Sequence, residues 1–152
     1  MYATRRPSLT LPFRVRLDES DSSGRILGCG NRRRYYFFYR IVPQYFAALD
    51  PLAGIMDLSA VTSFEVSVQT VRNLAWSEPA MPHPERPRFI VAESSHIFGM
   101  ARMFEFEGDS TRPNLYVVRS AHEAWVILGI REPQFTPVPP LDHASSNPNF
   151  AS

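Results

Sequence analysis

Hydrophobic residues in this chain recur in short segments whose spacing switches between that of a strand and that of a helix. Phe13, Val15 and Leu17 are apolar at every second position, which predicts a strand with one solvent-facing side. A turn at residues 21–24, Asp-Ser-Ser-Gly, predicts that residues 25–30 return as the second strand of an antiparallel hairpin. Continuous apolar runs predict three buried strands, at residues 53–58, 89–92 and 115–118.

Four helices are predicted between and after these strands, because apolar residues return there every third or fourth position. They cover residues 32–49, 62–76, 96–106 and 121–130. Thr62, with Glu65 three residues later, has the spacing of a capping box, and a serine precedes each of the last two helices. Val68 and Ile127 are predicted to face inward. Gly99 interrupts the third helix, and we expect close packing on the sheet to be its reason.

Strands that alternate with helices predict a single α/β domain with right-handed crossovers. We expect a mainly parallel sheet of four to five strands, with the antiparallel hairpin at its N-terminal edge and about four helices. Residues 12–130 are assigned to this domain, residues 1–11 to a flexible leader, and residues 131–152 to a disordered proline-rich tail. Four prolines within residues 77–87 predict a rigid, exposed connection without regular structure.

Polar residues follow two of the predicted strands at their carboxyl ends, where ligands bind on open parallel sheets. The candidate binding rim comprises Asp57, Ser59, Thr62, Ser63, Ser67, Glu93, Ser94, Ser95 and His96. Asp57 and Glu93 as paired carboxylates, or His96 beside them, would permit acid–base chemistry, and hydroxyls at helix N-termini would permit anion binding. Turn hydrogen bonding and helix capping explain the same residues without a ligand, and we favour this structural interpretation.

A second candidate surface combines arginines with aromatic residues in the first predicted helix. It comprises Arg32, Arg33, Arg34, Tyr35, Tyr36 and Tyr39. Interleaved basic and aromatic side chains suit single-stranded nucleic acid, but the net charge is only +1 and the helical spacing directs several rings inward. We therefore expect a protein partner or a homodimer here, since tyrosine and arginine are enriched at protein interfaces. Nucleic-acid binding is not expected.

Composition removes several classes of chemistry. All sixteen basic residues are arginine, which excludes a lysine Schiff base, a lysine general base and a P-loop lysine. One cysteine, Cys29, excludes an intramolecular disulfide and a cysteine zinc site, and the four histidines lack the spacing of zinc ligands. We expect neither a metal nor a cofactor. No apolar run approaches the ~20 residues of a membrane-spanning helix, so membrane insertion is not expected, and the single cysteine makes a reducing, cytoplasmic location the default expectation.

Residues 57–62, Asp-Leu-Ser-Ala-Val-Thr, resemble the D-L-S-G-V-T strand end of STAS domains, the fold of bacterial anti-sigma-factor antagonists. The segments PRFIVAESSHIFGMARMFE and HEAWVILGI are similar to the SpoIIAA-like branch of that family, and the resemblance spans residues 12–130. In regulatory STAS domains the helix after this strand opens with D-S-S-G, and a partner kinase phosphorylates the first serine. The resemblance places Glu65 at the aspartate, Val66 at the phosphoacceptor and Ser67 at the next serine, so the usual phosphoacceptor is missing.

These observations together predict a non-catalytic regulatory or protein-interaction domain of the STAS-like type. A small-molecule or anion-binding domain that uses the strand-end loops is the alternative. An enzyme is the least favoured class, because no constellation in the sequence has the spacing of a catalytic site.

Overall fold

The computed structural model describes residues 13–16, 42–61 and 66–131. Four strands lie in these ranges: β1 (Phe13–Arg16), β2 (Gly54–Asp57), β3 (Arg88–Val91) and β4 (Leu115–Val118). The helices are α1 (residues 42–49), α2 (Val68–Trp76), α3 (Ser95–Glu107) and α4 (Ala121–Leu128). The chain is therefore a mixed α/β protein, which confirms the predicted class.

The strands pair in the order β1-β2-β3-β4, and each neighbouring pair is parallel. Phe13, Gly54, Arg88 and Leu115 stand side by side at the amino ends of the four strands. Strands that run the same way must be joined by crossovers, and helices supply them here. The predicted hairpin stays a prediction, because residues 25–30 lie outside the described ranges, as do the predicted leader and nearly all of the predicted tail.

Both faces of the sheet are covered by helices. On one face Ile90 and Val117 pack with Ile97 and Ala101 of α3, and α2 lies against α3. On the other face a second cluster joins the sheet to α4; it contains Ile55, Phe89, Val91, Val118, Ala124 and Trp125. Coverage on both faces explains why β3 is buried at all four positions, since successive side chains point to opposite faces.

Helix α2 begins later than predicted. Its N-cap is Ser67, whose Oγ accepts a hydrogen bond from the Thr70 backbone N–H at 3.1 Å, so the predicted start of this helix at Thr62 is wrong. Two cap signals lie five residues apart here, and the helix uses the second. Val71 and Ala75 are buried as expected, whereas Val68 in the first turn is exposed.

Helix α4 begins where it is predicted to begin and ends two residues earlier than predicted, at Leu128. Ser120 is the N-cap, and its Oγ accepts from the Glu123 backbone N–H at 3.3 Å. Gly129 ends the helix in the left-handed conformation, with φ at +69°, which glycine adopts without a Cβ penalty. Ile127 is exposed, so its predicted inward orientation is wrong.

The connection between α2 and β3 lacks regular structure, as its prolines predict, but it is not simply exposed. Residues 77–87 lie against the amino ends of the strands, where Pro87 O accepts from the Gly54 N–H at 3.1 Å. The Met81 side chain fills the space that a Cβ at Gly54 would occupy. Arg86 Nη1 donates to Asp50 Oδ1 at 2.6 Å, and Asn114 Nδ2 donates to Pro84 O at 3.0 Å. The segment therefore covers this end of the sheet.

The outer edge of β4 is closed by hydrogen bonds from within the chain. Alternate N–H groups of this strand point away from β3 and would be open to another strand. Leu115 N–H donates to Arg112 O at 3.2 Å, Val117 N–H to Glu105 Oε1 at 3.2 Å, and Arg119 N–H to Glu123 Oε2 at 3.3 Å. All three outward donors are thus taken.

Gly99 does not serve close packing. It is exposed in the middle of α3, and a Cβ placed on it would meet no atom of the described residues within 4 Å. The predicted contact between this residue and the sheet is therefore wrong.

We expect Gly99→Ala to raise the free energy of unfolding by about 1 kcal/mol, because alanine restricts the unfolded chain and favours the helix. Urea denaturation measures the change. Gly129→Ala is the matched control, and its left-handed backbone predicts a loss of stability instead. A loss of stability in Gly99→Ala would show that the open space beside α3 is occupied in solution.

Candidate functional site

The carboxyl ends of β2, β3 and β4 form one rim of the sheet. Asp57 is the last residue of β2, and its carboxylate is fully buried. Asp57 Oδ1 accepts hydrogen bonds from the Ser59 backbone N–H at 3.0 Å and from Ser59 Oγ at 2.6 Å. An aspartate that closes the turn behind its own strand in this way is a structural element. The structural interpretation of Asp57 is therefore favoured by its contacts, with Ser59 as the partner.

Glu93 follows β3, the strand that pairs with β2, but its surroundings differ from those of Asp57. Its side chain is exposed, whereas that of Asp57 is buried. Paired catalytic carboxylates need environments that shift their pKa values apart while both reach one substrate. Here Asp57 Oδ1 is hydrogen-bonded to Ser59 within its own turn and the Glu93 side chain faces solvent, so the described contacts do not bring the two carboxylates together.

Helix α3 begins at this rim, directly after Glu93. Ser94 is its N-cap by backbone conformation, but the Ser94 side chain makes no capping hydrogen bond. Ser95 and His96 are exposed in the first turn. The first N–H groups of a helix carry partial positive charge, so polar ligands are favoured at this position.

Arg119 is the rim residue that the sequence reasoning missed. Its Nη1 donates to Glu93 O at 3.2 Å and lies 3.4 Å from Ser95 Oγ. Its guanidinium carbon lies 4.0 Å from the centre of the Phe98 ring, a cation–π distance. The signal was its position: Arg119 directly follows β4, just as Asp57 and Glu93 mark the ends of their strands.

The remaining predicted site residues divide into two groups. Ser67 is used as the N-cap of α2 and also lies 2.8 Å from Thr70 Oγ1. Thr62 and Ser63 lie outside the described residues, as does the whole arginine–tyrosine surface. That surface comprises Arg32, Arg33, Arg34, Tyr35, Tyr36 and Tyr39.

Two further findings bear on the chemistry. Within residues 13–16, 42–61 and 66–131, no three His, Cys, Asp or Glu side chains gather in a way that could hold a metal ion. In the same ranges no helix has the length and apolar character needed to cross a membrane.

At the opposite end of the sheet two arginines, Arg88 and Arg112, are buried. Their charges repel each other, but their hydrogen-bond partners differ. Arg112 Nη1 donates to Ala75 O at 2.6 Å, and Nη2 donates to Leu74 O at 3.2 Å and to Ser77 O at 3.0 Å. It thereby satisfies carbonyls that the end of α2 leaves open. Arg88 is buried to the same degree, and burial, followed by the charge of Arg112, lowers the pKa of its guanidinium.

The outer surface of the α2–α3 layer carries two exposed aromatic side chains. Trp76 ends α2 and is 61% exposed, and Phe106 near the end of α3 is 83% exposed. Both helices run antiparallel to the strands, so these residues lie at the same end of the layer. An ion pair joins the two helices close to these aromatics, with Arg72 Nε 3.1 Å from Glu107 Oε1. Arg72 lies one turn from Trp76, and Glu107 is next to Phe106.

Three candidate features thus stand out. They are the polar rim with Arg119 on its β4 side, the two buried arginines at the other end of the sheet, and the exposed aromatics on α2 and α3. Comparison with known proteins adds no assignment: no family model, no curated protein and no solved structure matches this chain.

Proposed function

We propose that this chain is a non-catalytic protein-interaction domain of the STAS-like type, and that it binds its partner through the outer surface of α2 and α3. The observation that carries the proposal is the exposure of Trp76 and Phe106 at the same end of two helices that the Arg72–Glu107 ion pair holds together. Large aromatic side chains are costly to leave in water, and they dominate the energetics of protein interfaces.

The state of the β4 edge supports a helical docking surface. Proteins that bind extended peptides commonly add a strand to an exposed sheet edge. The outward N–H groups of Leu115, Val117 and Arg119 already have acceptors, so strand addition at β4 would first have to break these bonds. A partner that docks on the helices meets no such cost.

The STAS-like assignment is supported by the order of elements and by the residues around α2. Strands and helices alternate after β2, and the Asp-Leu-Ser segment ends β2 as the resemblance expects. The resemblance puts Val66 at the position of the phosphorylated serine, and Ser67 caps the helix. We therefore propose regulation by association alone, without the usual phosphoserine.

The test is a double variant, Trp76→Ala with Phe106→Ala, examined by light scattering and by pull-down from extract of the source cells. We expect the variant to lose association by roughly 1,000-fold, since two interface aromatics that each contribute on the order of 2 kcal/mol together contribute about 4 kcal/mol. Val126→Ala with Ile127→Ala is the matched control, because these residues of α4 are 65% and 54% exposed on the other side of the sheet. A strict monomer without partners, or loss of association in the control alone, would contradict the proposal.

A second candidate is a small-anion site at the rim, and Arg119 is the observation that favours it. Its guanidinium lies beside the first turn of α3, where backbone N–H groups favour negative charge. The Arg119→Met arm of the experiment described next tests this candidate directly.

A further inference from the structure

Arg88 is a buried cation with donors that nothing satisfies. The residue is 5% exposed, and it stands at the amino end of β3, pointing to the same face as Ile90. Its Nη2 donates to Met81 O at 3.2 Å. Its Nε and Nη1 are buried, and neither has a hydrogen-bond partner in the part of the chain that the structure describes. Buried polar groups are almost always paired, so these two need a specific explanation.

The charged neighbours of Arg88 do not supply the missing hydrogen-bond acceptor. Arg112 adds a second positive charge, which together with burial lowers the pKa of Arg88, and Glu85 opposes that effect. A guanidinium stays charged in proteins, so loss of a proton does not relieve the cost of burying this charge. The Glu85 carboxylate is largely exposed and lies 3.3 Å from His83 Nδ1, so it attracts Arg88 without bonding to it.

We propose that Arg88 is the receptor for a carboxylate group of a small ligand, which accepts hydrogen bonds from Nε and Nη1. Charge balance selects the carboxylate. The charge of Arg112 is already offset by the carbonyls of Leu74, Ala75 and Ser77 at the negative end of α2. Among the described residues no carboxylate bonds Arg88, so a bound monoanion would balance its charge, whereas a phosphate dianion would bring excess charge into a buried site.

Residues 77–87 pass beside Arg88 and include Met81, the backbone acceptor of its Nη2. Met81 is the described residue that contacts Arg88 from this segment, and its thioether side chain lies over Gly54 in the adjacent strand. Methionine has three rotatable bonds and adapts to new surroundings at low cost. The ligand reaches Arg88 when Met81 moves aside, without disturbance of the sheet.

Protein stability in acetate tests the proposal, because a ligand that binds the folded state raises the melting temperature by mass action. At constant ionic strength, we expect saturating acetate to raise the Tm of the wild type by about 3 °C or more at about ten times the dissociation constant. Arg88→Met is expected to lose this increment and to be at least as stable as the wild type without acetate, since an unpaired buried charge is gone.

Arg119→Met and Arg72→Met are the controls, and both should keep the acetate increment. Its loss in Arg119→Met but not in Arg88→Met would overturn the proposal in favour of the rim. An equal response to chloride, or a response to phosphate without one to acetate, would also overturn it.

A variant that leaves Arg88 in place gives a second test if Arg88→Met fails to fold. Glu85→Gln removes the neighbouring carboxylate, so we expect half-maximal stabilisation at a lower acetate concentration than in the wild type. An unchanged or higher midpoint would contradict a carboxylate site at Arg88.

Discussion

Replacing Arg112 with methionine is expected to lower the free energy of unfolding by about 2–3 kcal/mol, because a buried charged donor with several hydrogen bonds is removed. The guanidinium of Arg112 bonds the carbonyls of Leu74, Ala75 and Ser77, and it lies 5.0 Å from the centre of the Phe104 ring. Methionine would fill the space but would remove these three hydrogen bonds, although Leu74 O keeps Ser77 Oγ as a donor at 2.7 Å and Ala75 O keeps Thr111 Oγ1 at 3.3 Å. It would also remove the positive charge from the negative end of α2.

Urea denaturation of the wild type and of Arg112→Met gives this difference. Arg72→Met is the matched control, because the Arg72–Glu107 ion pair is partly exposed and such pairs contribute at most about 1 kcal/mol. A loss below about 1 kcal/mol in Arg112→Met would mean that water reaches the end of α2 and replaces the arginine.

Phe89→Ala is expected to cost about 3–5 kcal/mol, since it removes a large aromatic group from the centre of the sheet. Phe89 is 1% exposed in β3, in the cluster that binds α4 to the sheet. Its ring stacks on Tyr116 of β4, with ring centres 5.4 Å apart and an angle of 25° between the planes. The truncation would leave a cavity and would also end this aromatic contact.

Thermal and urea denaturation both measure the effect of Phe89→Ala. Phe89→Leu is the control, because it keeps most of the apolar volume and should cost less than about 1.5 kcal/mol. Equal losses in the two variants would indicate that the stacking with Tyr116, rather than the cavity, determines the stability of this cluster.

The sequence predicts the strands well because a short apolar run between turn residues has few other structures open to it. Residues 88–91 and 115–118 form short apolar runs between turn residues, and strands of that kind fit a sheet that helices cover on both faces. Ser120 likewise permits one cap geometry before α4. The start of α2 was missed because Thr62 and Ser67 offer competing caps, and tertiary packing decides between them.

The candidate site is predicted less well, for a physical reason. Asp57 was placed correctly because a strand end fixes its position, whereas Arg88 and Arg119 depend on contacts distant in sequence. An arginine at the start of a strand is ordinarily exposed, and nothing local indicates that Met81 and Arg112 bury this one. Gly99 shows the converse, since a residue that suggested close packing faces open space.

The closed edge of β4 has a consequence for how molecules of this protein behave when they are crowded. Sheets grow from one molecule to the next when a free strand offers its N–H groups, and repeated growth produces filaments. Here Glu105 and Glu123 hold two of the three outward donors, from positions on α3 and α4 that also cover the sheet. The helices that build the core thus also prevent the addition of a further strand at this edge. Unfolding of these helices would therefore remove the protection from fibre growth at the same time.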